Sequence, residues 1–164
     1  MRSRVLLLTR AGMIAALYVL LTWLSAAFGL SSGAVQFRIS EALCLLPVFF
    51  PEAVGGLACG CLLANLLFGG TVYDMLLGTA ATLLAGWLTY RLRAAPLPIC
   101  ALPPILCNAL AVPLVLFWSA GTSVTLSVFL PVAGTVALGE AVCAGVLGTS
   151  LAAVIRKNSR FFHL

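Results

Sequence analysis

The chain has 164 residues, 63% of them hydrophobic and 8% charged, with a formal net charge of +5. Soluble domains carry about 25% charged residues, so this composition excludes a soluble globule, which could not solvate its surface with so few charges. The positive balance does not mark a nucleic-acid surface either, because the basic residues flank apolar runs and form no stripe with interleaved aromatics.

The first apolar run, residues 11–30, follows Arg2, Arg4 and Arg10. Its basic start and the small residues Ser25-Ala26-Ala27 also suit a signal peptide, but everything downstream is equally membrane-like, so the run reads as a first span. The second span, 36–50, is closed by Pro51-Glu52. It is short for a bilayer core that needs about 20 apolar residues per helix, so it either begins early or reaches only part of the bilayer. The third, 53–69, carries Gly56, Gly60 and Ala64 at a four-residue spacing that allows close helix contact. The fourth, 72–90, is followed by Arg91 and Arg93, and the fifth covers 97–118. Residues 119–129 are mixed and read as an interfacial or capping stretch. The sixth, 130–155, is followed by Arg156, Lys157 and Arg160.

These runs predict an all-α integral membrane protein, a single domain over 1–164 with six transmembrane helices. Continuous apolarity excludes a β-barrel, whose strands alternate. Six crossings place both termini and the loop between spans four and five on one side. The eight flanking bases fall in those three places, and by the positive-inside rule that side is the cytoplasm. The implied location is the cell membrane, multi-pass. The six cysteines lie in or beside apolar stretches with no C-x-x-C pair; they read as small buried side chains, with neither a disulfide framework nor a metal site.

Against this background the intramembrane polar groups stand out. An ionised side chain near mid-helix costs about 2.5–3.5 kcal/mol on insertion scales. Arg38 and Glu41 fall at the outer start of span two, Asn65 in the outer half of span three, Asp74 at the outer start of span four, and Asn108 and Glu140 near mid-depth. The pattern predicts a polar pocket open to the outside. Structural readings stand beside it: an Arg38–Glu41 pair at helical spacing, Asp74 as a helix cap after Gly69-Gly70-Thr71, and Asn65 and Asn108 as interhelical glue. Glu140 resists such a reading, since no base lies near it at that depth. The sequence holds no serine–histidine–acid set; its lone histidine, His163, is in the tail. It has no metal cluster and no phosphate loop. The chain is therefore expected to be no enzyme, to need no cofactor, and to draw energy from an ion gradient or another subunit.

The segment Gln36-Phe37-Arg38-Ile39-Ser40-Glu41-Ala42-Leu43 resembles the signature of the QueT family of queuosine-precursor transporters, substrate-binding (S) components of energy-coupling-factor (ECF) transporters. Similarity continues in order through Gly60-Cys61-Leu62-Leu63-Ala64-Asn65-Leu66-Leu67, Asp74, Leu88-Thr89-Tyr90-Arg91-Leu92, Pro103-Pro104 with Asn108-Ala109-Leu110, and Gly139-Glu140. The resemblance implies a six-helix S component that captures a 7-deazaguanine (a cyano or aminomethyl queuosine precursor, or queuine) and works with a membrane coupling subunit and two cytoplasmic ATPases. It implies a coupling contact at Ala11, Gly12, Ala15 and Ala16 on the first helix; the other reading of these residues is packing within the bundle. In this picture Glu140 accepts from the ring N–H and exocyclic amine of the base, and Asn65 and Asn108 bond its remaining edge. Arg38 and Glu41 order an outer lid, and Asp74 or Glu41 offsets an aminomethyl cation. Phe37, Tyr73 and Trp118 stack on the ring, though interface aromatics explain them equally well. Two other classes compete: a gradient-driven carrier or channel using Glu140 or Asp74 as its ion site, and a membrane enzyme acting on lipid-like substrates, which lacks a nucleophile–base set here.

Overall fold

The computed structural model describes residues 2–30 and 36–158; Arg160 and His163 lie outside the described residues. Every regular element among those described is helical. Among the described residues three helices are long and apolar enough to cross a membrane: Arg4–Ala27, Leu97–Ser119 and Leu126–Lys157. Helix α1 (Arg2–Ala27) packs along α2 (Ala53–Leu67). The contact uses the small-residue spacing of α2. A Cβ added at Gly56 would stand 2.6 Å from the Ala11 carbonyl oxygen, and one at Gly60 would stand 3.0 Å from that of Ala15. Only glycine lets the two backbones approach this closely. Arg10 fastens the same pair of helices at their other polar point, reaching Glu52 at 3.4 Å while lying 5.3 Å over the Phe50 ring.

The second span departs from the expected helix over 36–50. Residues Ile39–Val48 form a 3-10 helix, and Ser40 through Pro47 are all buried. A 3-10 helix rises about 2.0 Å per residue against about 1.5 Å in an α-helix, so ten residues reach about 20 Å rather than about 15 Å. The tighter winding thus makes up part of the length that the segment lacks. It is the central strut of the bundle, touching α1, α2, the helix that follows and the last helix. Gly148 lets it approach the last helix, with the Ala42 carbonyl oxygen 3.1 Å from where a Cβ would be.

The fourth helix starts with a π-turn at Asp74–Gly78 and continues as α3 (Thr79–Arg91). A short α4 (Leu97–Cys100) leads into α5 (Leu102–Ser119). The last helix begins earlier than expected, at Leu126, because the Thr125 carbonyl already takes the N–H groups of Val128 and Phe129. Only 122–125 lie outside helix and turn, so the interfacial stretch is shorter than the composition suggested. This helix comprises α6 (Leu126–Glu140), a π-helical segment (Ala141–Gly148) and α7 (Thr149–Lys157).

Candidate ligand site

One face of α1 carries Tyr18, Thr22 and Ser25, spaced so that they line up along the helix. Each meets the 3-10 helix. The Ser25 hydroxyl accepts the first N–H of that helix, from Ile39, at 2.9 Å, and so satisfies a donor that helix termini leave orphaned. The Thr22 hydroxyl lies 2.9 Å from that of Ser40. The Tyr18 hydroxyl donates to Glu41 Oε1 at 2.5 Å. In a 3-10 helix side chains three apart eclipse, which brings the Cys44 thiol to Glu41 Oε2 at 3.0 Å.

From the opposite side α5 delivers Asn108. Its amide nitrogen donates to Glu41 Oε2 at 3.3 Å and to Glu140 Oε1 at 2.8 Å. Carboxylates only accept, so the amide must turn its NH2 toward them; one asparagine therefore bridges two acids. Glu140 is the last residue of α6, where the helix widens into its π-helical segment. Such widenings are frequent at functional sites.

The two carboxylates differ. Glu41 is 2% exposed and both its oxygens are taken by protein donors. Glu140 is 6% exposed, and its Oε2 is buried without a hydrogen-bond partner. A buried acceptor left open in this way is expensive, and it is the kind of atom a ligand completes. Arg38 is half-buried and within electrostatic reach of Tyr18, Glu41 and Glu140. Among the described residues it makes no ion pair with either acid. The expected Arg38–Glu41 pair is therefore replaced by neutral donors around Glu41, because the 3-10 helix turns that carboxylate into the core.

Asn65 and Asp74 belong to a second cluster. Asp74 Oδ2 accepts from the Thr71 N–H at 2.8 Å and from its hydroxyl at 2.6 Å, while the Asp74 N–H donates back to the Thr71 hydroxyl at 3.2 Å. This is a capping box for the fourth helix. The Asn65 amide nitrogen donates to the Asp74 backbone carbonyl at 3.0 Å. Thr71 and Ser119 hydroxyls lie 3.0 Å apart, and the rings of Tyr73 and Trp118 meet at 5.9 Å, both exposed. Cys61 stands between the clusters, in one buried core with Tyr18 and 3.7 Å from the Asn65 amide. Phe37 is half-buried, its N–H donating to the Leu30 carbonyl.

The first-helix residues also separate. Ala11 and Ala15 face Gly56 and Gly60 inside the bundle, whereas Gly12 and Ala16 are exposed. Sequence reasoning missed Tyr18, Thr22, Ser25 and Cys44. A signal for the first three was present: three polar side chains at helical spacing in an otherwise apolar span.

What the arrangement offers chemically is a buried, acceptor-rich cluster. It suits a ligand edge that carries N–H donors. No match was found among curated proteins or among solved structures. The family comparison is positive: residues 8–157, nearly the whole chain, match the QueT transporter, and the chain belongs to that family.

Proposed function

We propose that this protein is the substrate-capturing S component of an ECF transporter, binding a 7-deazaguanine from outside the cell and importing it with an ATP-driven coupling module. The QueT family is the S-component family for queuosine precursors, and three long apolar helices support membrane insertion. In this reading six spans cross the plasma membrane and both termini are cytoplasmic.

The observation that carries the reading is the open Glu140 Oε2 beside Asn108. A guanine-like edge presents a ring N–H next to an exocyclic amine, and a carboxylate accepts both. Charge assistance makes such bonds roughly twice as strong as neutral ones. Glu41 then acts as the anchor that fixes Asn108, and Glu140 as the group that reads the ligand. Arg38 offsets part of the charge of the paired acids. Asn65, Phe37, Tyr73 and Trp118 contribute at the rim, where Asp74 serves as the cap of the fourth helix. The outward Gly12 and Ala16, rather than their buried neighbours, face the coupling subunit.

The test is a titration of the purified chain, without ATPases, against the cyano and aminomethyl precursors and queuine. Saturable binding of at least one is expected. Absence of binding to all three, in protein whose helicity and thermal transition are intact, would remove this ligand class and return the carboxylate pair to a gradient-driven carrier.

A further inference from the structure

A groove of about 390 Å³ opens on the outer surface between α2 and α3, lined by Val54, Ala80, Leu83, Leu84 and Trp87. The helices touch at Gly86, where a Cβ would stand 3.6 Å from the Cα of Val54. Ala80 leaves a notch in the surface, and Leu83, Leu84 and Trp87 are each about half exposed, at 47, 50 and 46%. No polar side chain lines this groove. Residues 80, 83, 84, 87 and 91 share one stripe of the helix by their spacing, so the groove leads along α3 to Arg91.

At that end the Arg91 guanidinium lies 5.2 Å over the Trp87 ring. Stacking fixes the plane of the guanidinium and leaves its edge N–H groups free for a bidentate acceptor. Among the described residues Arg91 has no carboxylate partner. Its neighbour Arg93 is engaged locally, stacked 4.3 Å over Tyr90 and donating to the Tyr90 carbonyl at 3.2 Å.

We propose that the groove and Arg91 form a binding site for one anionic phospholipid, with an acyl chain along Val54, Ala80, Leu83 and Leu84 and the phosphate on Arg91. An apolar slot that ends in a single uncommitted cation matches an amphiphile with one anionic end. A purely apolar partner helix would fill the slot and leave the cation without a counter-charge. Trp87 sits at the junction of the two parts, as a membrane-interface aromatic does.

The test places the full chain, with Trp23→Phe and Trp118→Phe so that Trp87 alone reports, in vesicles of brominated phosphatidylglycerol or brominated phosphatidylcholine mixed with unlabelled lipid. Trp87 fluorescence should be quenched preferentially by the anionic lipid, with about a fivefold difference in apparent affinity, the amount one arginine near an anionic surface supports. Arg91→Gln should abolish the preference and Arg93→Gln should leave it. Ala80→Phe, which fills the notch while keeping Arg91, should weaken it too. Equal quenching by both lipids in the parent protein would overturn the proposal. So would loss of preference in Arg93→Gln equal to that in Arg91→Gln, which would mean diffuse charge, or a preference untouched by Ala80→Phe. Quenching by neither lipid would overturn it in favour of a protein segment or second copy covering the groove.

Discussion

Two polar clusters interrupt this apolar bundle. In the cluster at Thr71, Asp74 and Asn65, the acid answers a backbone N–H and a hydroxyl, and the amide answers a backbone carbonyl. It lies at the end of a helix and is only partly buried. In the cluster at Tyr18, Glu41, Asn108 and Glu140, every group is buried, four separate chain segments contribute, and one acceptor remains open. The lesson is that a carboxylate in a membrane protein is not by itself a binding residue. What separates Asp74 from Glu140 is whether the protein has already satisfied it.

That contrast can be broken experimentally. The largest effect is expected for Glu41→Ala, which strips the partner from Tyr18, Cys44 and Asn108 together; it should lower stability by about 3 kcal/mol and abolish ligand binding, read from thermal unfolding in detergent and from titration. Glu140→Gln keeps the shape but converts one acceptor oxygen into a donor. It should weaken ligand binding by at least about 2 kcal/mol while the unfolding midpoint of the empty protein hardly moves. Equal affinity in this variant would take Glu140 out of the site. Tyr18→Phe removes one interhelical hydrogen bond, worth about 0.6–1.7 kcal/mol in membrane proteins; the same variant should loosen Glu41 and reduce affinity alongside stability. The smallest effect belongs to the exposed cluster: Asp74→Ala should cost about 1 kcal/mol of stability through the lost cap and leave affinity unchanged. An affinity loss in Asp74→Ala as large as that in Glu140→Gln would erase the distinction between the clusters.

Much of the helical plan was legible because continuous apolar runs bounded by bases have few interpretations. The close approach of α1 and α2 was legible from Gly56, Gly60 and Ala64, since only small residues permit it. The capping role of Asp74 was visible in the Thr71-x-x-Asp74 spacing. The 3-10 winding of Ile39–Val48 was not, because a run buried on all sides shows no period by which three residues per turn could be told from 3.6. Without that winding the inward turn of Glu41 could not be foreseen, and the Arg38–Glu41 spacing reads as an ion pair three residues apart on a helix. Asn108 and Glu140 were singled out by cost alone; that they touch depends on helix rotations, which sequence spacing does not fix. The stripe of Tyr18, Thr22 and Ser25 is present in the sequence, but Ser25 reads there as one of the small residues Ser25-Ala26-Ala27 that suit a cleavage site.

In the proposed site the unpartnered Oε2 of Glu140 also links capture to folding. Tyr18, Glu41, Asn108 and Glu140 sit on four different stretches of chain, so whatever occupies that oxygen pulls on all four at once. A ligand that binds only the folded form adds RT ln(1 + [L]/Kd) to its stability, about 2.7 kcal/mol at a hundredfold excess over Kd. In the proposed capture role the ligand-free bundle is the softer state and cargo is its missing keystone, so the melting temperature of the protein in a membrane mimetic would gauge what it carries.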